Sequence, residues 1–165
     1  MKRLVLLIGG NMGDRKLLLQ QAENYLEELF LVIQKSRIYE STAWGENSEG
    51  NYLNRAIIIE SDMEPEDVLK QIQDIENKLE RKRIRKWGNR TMDIDILYVE
   101  EDVIDTPSLT VPHPFIQDRK FVLIPLTEIL PDFRHPVLGK TNTQLLEDCR
   151  DEGEVMEYKG KINEK

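Results

Sequence analysis

A single cysteine, Cys149, stands in the 165 residues, which excludes an intrachain disulfide framework and a cysteine-based zinc cluster. No apolar run approaches the ~20 residues of a membrane-spanning helix. The run Leu4 to Ile8 is shorter than the core of a secretory leader, and "GGNMGD" follows where a small-residue cleavage site would stand. Aromatic residues are scarce, at 7%, so each large ring outside a core pattern asks for a reason. Excess positive charge is lacking too: 23 Lys and Arg face 31 Asp and Glu, for a net charge of −8. A general nucleic-acid binder carries a basic face, so that class is disfavoured. With 39% hydrophobic and 33% charged residues, the chain reads as globular rather than disordered. The expectation is one domain over residues 1–165, monomeric and cytoplasmic, with no nucleic-acid or membrane partner.

Periodicity orders the elements. "RLVLLIG" reads as a buried strand closed by glycines. Leu18, Ala22, Tyr25, Leu26 and Leu29 then recur near helical spacing, with Asp14 as the N-cap. "LVIQKSRIYES" and "YLNRAIIIES" show partial alternation, and the turn-rich "TAWGENSEGN" separates them. A second amphipathic helix opens at Pro65 and carries the stripe Val68, Leu69, Ile72, Ile75 and Leu79. "TMDIDILYVEE" is a strand, "RKFVLIPLTEILPD" a short helix and "TNTQLLEDC" a last helix. The tail from about residue 150 is read either as mobile or as an edge strand around Val155 to Tyr158. This order predicts an α+β fold, a ferredoxin-like βαββαβ sandwich with an antiparallel sheet, helices on one face and extra C-terminal elements.

The chemistry concentrates in "RKRIRKWGNRTMDIDILYVEE", Arg81 to Glu101, whose first ten residues include six cations. Cations suit a helix C-terminus, but Gly88 and Asn89 end the helix before the run is over. Asp93 and Asp95 lie two apart in the strand, so they share a face, while Met92, Ile94 and Ile96 take the other. Two adjacent carboxylates repel, and a hard divalent cation such as Mg²⁺ relieves that repulsion while leaving positions for water and phosphate oxygens. The plain alternative is the solvent face of an edge strand. The neighbouring cations favour the metal reading, because guanidinium groups grip phosphate in a bidentate fork. Together they describe a clamp for a nucleoside triphosphate.

Tyr52 and Asn54 share the face of a second strand, in "NYLNRA". Trp44 and Trp87 sit in glycine-containing loops, and Phe121 follows Arg119 by two residues. Stacking rings plus an amide suit a flat, polar heteroaromatic ligand. His113, between Pro112 and Pro114, is rigidly placed to donate to a phosphate. "GGNMGD" lacks the Lys-Ser/Thr of a phosphate-binding loop and is read as a turn shaping the site wall.

Taken together, "LLIGGNMGD", "IYESTAWG", "NYLNRAI", "RKRIRKWGNRTMDIDILY" and "LTVPHPFIQDRKFVLIPLTEILPD" resemble the 6-hydroxymethyl-7,8-dihydropterin pyrophosphokinases of folate biosynthesis. The resemblance implies transfer of the β,γ-pyrophosphoryl group of ATP to the hydroxymethyl group of the reduced pterin, with release of AMP. It implies two Mg²⁺ ions on Asp93 and Asp95, and a triphosphate bound by Arg81, Arg83, Arg90, His113 and Arg119. Arg81, Arg90, Asp93 and Asp95 would be the catalytic group. Gln73, Glu76, Ile96, Leu109 and Thr110 would line the rest of the ATP site. The pterin would lie between Tyr52 and Phe121, read at its edge by Asn54 and by the stretch from Ser41 and Thr42 to Trp44, with Trp87 arriving on a loop. Glu80 and Asn89 depart from the Gly and Pro usual at those places, and the proline usual near Ala43 is missing. Two rivals are a metal-dependent nucleotidyltransferase and an RNA-binding module of the same architecture. The second would place Asp93 and Asp95 against phosphate.

Overall fold

The computed structural model describes residues 1–10, 14–41, 52–81 and 92–159, with Arg81 as backbone only. Strand β1 (Lys2–Gly10) is an interior strand of a six-stranded antiparallel sheet. Helix α1 (Arg15–Leu29) follows, and Asp14 Oδ1 caps it by accepting the Leu17 N–H at 3.2 Å. Strands β2 (Leu31–Lys35) and β3 (Tyr39–Ser41) both pair with β4 (Tyr52–Ser61). Helix α2 (Pro65–Arg81) leads back to β5 (Asp93–Val99), which pairs with β1 at one end of the sheet. The small hairpin of β6 (Ile104–Asp105) and β7 (Thr110–Val111) follows, then a 3-10 turn at Ile116–Asp118. Helices α3 (Lys120–Ile129) and α4 (Asn142–Asp148) precede the last strand, β8 (Val155–Glu157), which adds to β3.

The stretch expected as one strand from Leu31 to Ser41 is two. Its register against β4 shifts between Val32 and Gln34. At Ser36 the side chain takes over from the ladder, with Oγ accepting the Ala56 N–H at 3.0 Å while the Ser36 N–H donates to Ala56 O at 2.8 Å. A hydroxyl that competes with the backbone for ladder partners interrupts a strand.

β1 explains the layering. Leu4, Leu6 and Ile8 pack with Leu18, Leu26, Ile72 and Leu79 of α1 and α2. Val5 and Leu7 point the other way, into a second core with Ile58, Leu123, Leu126 and Leu145. A strand covered on both faces reads as a continuous apolar run rather than an alternating one. The ferredoxin-like sandwich with α1 and α2 on one face is therefore present. The extra C-terminal elements supply a third layer, where the sequence reading had placed helices on one face only. Tyr98 locks that layer to the sheet. Its hydroxyl donates to Asn142 Oδ1 at 2.7 Å, its ring lies 4.5 Å from that of Phe133, and burial pushes its phenol pKa up. Residues 150–159 take the edge-strand course. No helix among the described residues is long and apolar enough to cross a membrane.

Candidate active site

Strand register brings the site together. Gly9 lies between Asp93 on one side and Asn54 on the other, and Asn54 in turn opposes Tyr39. One step along, Leu7 opposes Asp95. In-register neighbours share a face, so Asp93, Asp95 and Asn54 all look toward the α3 side of the sheet, as the period-two reading required. Asp93 and Asp95 are exposed, while Ile94 and Ile96 are buried beneath them against α2. A third layer that covered this end fully would bury the carboxylates. Instead α3 begins just beside them, and a cleft of about 1130 Å³ opens between sheet and helix.

Gly9 is a requirement of this geometry. A Cβ there would stand 1.9 Å from Asn54 Oδ1 and 2.6 Å from Leu53 O. The missing side chain lets the Asn54 amide lie across the strand. Asn54 is only 4% exposed, and its Nδ2 is a buried donor with no hydrogen-bond partner among the described residues. Buried donors are almost always satisfied, and the residue that carries this unsatisfied one lines the cleft. Tyr52, paired with Ser41 across β4 and β3, stands on the same wall. Phe121, in the first turn of α3, stands on the other.

Arg119 precedes Phe121 and lies over two rings, 4.7 Å from the centroid of Phe115 and 5.8 Å from that of Phe121. Stacking fixes a guanidinium without spending its N–H donors. His113 is held at both ends. Its backbone N–H donates to Leu97 O at 3.0 Å, and its ring Nδ1 accepts the Phe115 backbone N–H at 3.2 Å. An Nδ1 that accepts assigns the proton to Nε2. Burial lowers the His113 pKa, the Arg119 charge lowers it further and Asp95 opposes both. The ring is thus neutral at pH 7, with one N–H to offer.

Other expected residues lie elsewhere. Glu76 Oε2 accepts the Ile94 N–H at 2.7 Å, which ties α2 to the open edge of β5 between the two aspartates. Ile96 and Leu109 have their side chains buried in the first core. Gln73 and Thr110 are exposed, on α2 and β7. Thr42, Trp44, Arg83, Trp87, Arg90 and the Arg81 side chain lie outside the described residues. The sequence reading passed over Phe115, whose offset of two from His113 and four from Arg119 was available as a signal. It also passed over the wall formed by Cys149, Arg150 and Asp151, which only the tertiary fold brings to the cleft.

Residues 5–131 match the sequence model of the family described as 7,8-dihydro-6-hydroxymethylpterin-pyrophosphokinase (HPPK). The chain belongs to the HPPK family. It is 43% identical over 134 residues to the Aquifex aeolicus protein named 2-amino-4-hydroxy-6-hydroxymethyldihydropteridine pyrophosphokinase, covering 81% of this chain and 83% of that one. The Pseudomonas aeruginosa protein of the same name is 34% identical over 154 residues, covering 92% and 94%. Among solved structures, wild-type Plasmodium falciparum HPPK-DHPS with SDX-DHP matches with a TM-score of 0.69 at 16% identity. That match covers 89% of this chain but 43% of the other, and it bears on the fold alone. The HPPK sandwich of sheet and helices is the architecture found here.

Proposed function

We propose that this chain, a single domain, transfers the pyrophosphoryl group of ATP to the hydroxymethyl group of 6-hydroxymethyl-7,8-dihydropterin and releases AMP, as a cytoplasmic monomer in folate biosynthesis. The observation that carries the reading is the orphan Asn54 Nδ2, on a residue that lines the same cleft as the carboxylate pair, Tyr52 and Phe121, in a chain of the HPPK family. A pterin has the flat ring to fill that gap and the acceptors to meet that donor.

Asp93 and Asp95 suit Mg²⁺, since they are hard oxygen donors on one exposed face and that ion takes one or two carboxylates together with substrate phosphates. They would hold two such ions, which supply charge neutralisation along the triphosphate and acidify the attacking hydroxyl. Arg81, Arg83, Arg90, His113 and Arg119 grip the phosphate oxygens, with His113 donating from Nε2. Gln73, Glu76, Ile96, Leu109 and Thr110 border the rest of the nucleotide. Ser41, Thr42, Trp44 and Trp87 complete the pterin pocket. The hydroxyl oxygen attacks the β-phosphorus in line, the bond from β-phosphorus to the α,β-bridging oxygen breaks, and AMP leaves. Asp95 is the candidate acceptor for the hydroxyl proton. Cations beside the transferring group matter most where charge builds up, so Arg81 and Arg90 contribute mainly to kcat.

The by-product decides between reaction classes. Incubation with ATP, magnesium and the pterin should yield AMP; ADP would signify phosphoryl transfer, and free pyrophosphate nucleotidyl transfer. Asp95→Ala should lower kcat by roughly a thousandfold while the pterin KM stays within about threefold. A variant with near-parental turnover would remove the carboxylate pair from the mechanism.

A further inference from the structure

α3 starts between two residues of the cleft. Arg119 occupies its N-cap position in extended geometry, φ −132° and ψ 116°, and makes no side-chain cap; a guanidinium has no acceptor to offer. The first N–H groups of a helix need partners from outside it. The Lys120 N–H finds one 31 residues away, where Asp151 Oδ2 accepts it at 3.0 Å. Asp151 Oδ1 meanwhile accepts the Gly153 N–H at 2.8 Å, which holds the carboxylate in place. Asp151 is half-buried and lines the cleft, and its charge complements the positive end of the helix dipole. The same segment continues into β8, where Val155 opposes Ser41 and the Tyr158 N–H donates to Ile38 O at 2.8 Å. One strap, from Asp151 to Tyr158, therefore holds the start of α3, which carries Phe121, and the end of β3, which carries Ser41.

We propose that Asp151 is a positioning residue: as the distant N-cap of α3, it fixes the backbone between Arg119 and Phe121 and so sets the ring against which the pterin lies. The inference rests on the functional reading above. A helix end held only by its own first turn frays, and a stacking ring on a fraying turn has no fixed plane. The Arg119 guanidinium has the Phe115 ring as a second support, so the loss should fall on the pterin more than on ATP.

The test is a double-mutant cycle in the full chain, with calorimetric Kd values for the pterin and for ATP measured separately and AMP release measured in the parent. Asp151→Ala removes the acceptor. Lys120→Pro removes the donor, and proline is accepted at the first helical position after an extended residue. Each single variant should raise the pterin Kd about fivefold, with the ATP Kd within about twofold. The double variant should be no worse than either single one, since both cut the same bond. Asp151→Asn, which keeps a carbonyl acceptor, should remain within about twofold of the parent. If Asp151→Ala does not fold, Lys120→Pro and Asp151→Asn still read the bond. Additive singles, an unchanged pterin Kd, or equal weakening of both ligands alongside a lower Tm would each overturn the proposal. A parent that releases no AMP would fail the functional reading instead.

Discussion

Asn54 carries a donor that folding leaves unanswered, and that makes its contributions to stability and to binding separable. Removing an unsatisfied buried donor removes a desolvation cost, whereas removing a ligand's only partner leaves the ligand short. Asn54→Ala should keep Tm within about 2 °C of the parent while raising the pterin Kd roughly tenfold, a contrast that thermal scans and calorimetry on one sample would show. Gly9→Ala should fail differently. The Asn54 amide is able to turn away from a new methyl, but the Leu53 carbonyl at 2.6 Å is backbone. Overpacking of that kind costs about 1–3 kcal/mol, visible as a lower urea midpoint, and pterin affinity should fall with it. Much at this scale was legible beforehand. Asp93 with Asp95, and Tyr52 with Asn54, follow from the two-residue period of a strand. The sequence marks Gly9 only as a glycine closing a strand and opening a turn, because its partner Asn54 is 45 residues on and no local pattern links them.

At the scale of elements, the short connection before α4 depends on a neutral histidine. His135 is 5% exposed, and its Nδ1 accepts the Val137 N–H at 3.2 Å and the Leu138 N–H at 3.0 Å. Burial lowers its pKa from the ordinary value. The unfolded chain therefore takes up a proton first as pH falls. The stability this ring contributes is present above ~6.5 and is lost as pH drops from there toward the folded pKa. His113, lowered in the same direction, adds to the loss. Urea midpoints should decline between pH 7 and 5, and His135→Asn should flatten part of that decline; an unaltered slope would show that the ring is not buried neutral. Helices with caps and stripes, such as α1 from Asp14 and α2 from Pro65, were readable from sequence. The break between β2 and β3 was not, because it turns on the Ser36 hydroxyl finding the Ala56 N–H across the sheet.

On the scale of the whole molecule, the α+β sandwich was visible in the order of elements, but its second covered face was not. β1 carries the one local sign of it, an unbroken apolar run that demands cover on both sides, whereas the docking of α3 and α4 depends on distant pairs such as Tyr98 with Asn142. The cleft exists because that third layer stops short of Asp93 and Asp95. A carboxylate-bearing sheet on one side and a ring-bearing helix on the other define the proposed function. Its most direct test is a crystal structure with magnesium, a non-hydrolysable ATP analogue and the pterin. The account predicts metal ions about 2.1 Å from carboxylate oxygens of Asp93 and Asp95, with the pterin between Tyr52 and Phe121 and accepting from Asn54 Nδ2. Metal ions held elsewhere, or a pterin bound outside this gap, would contradict it.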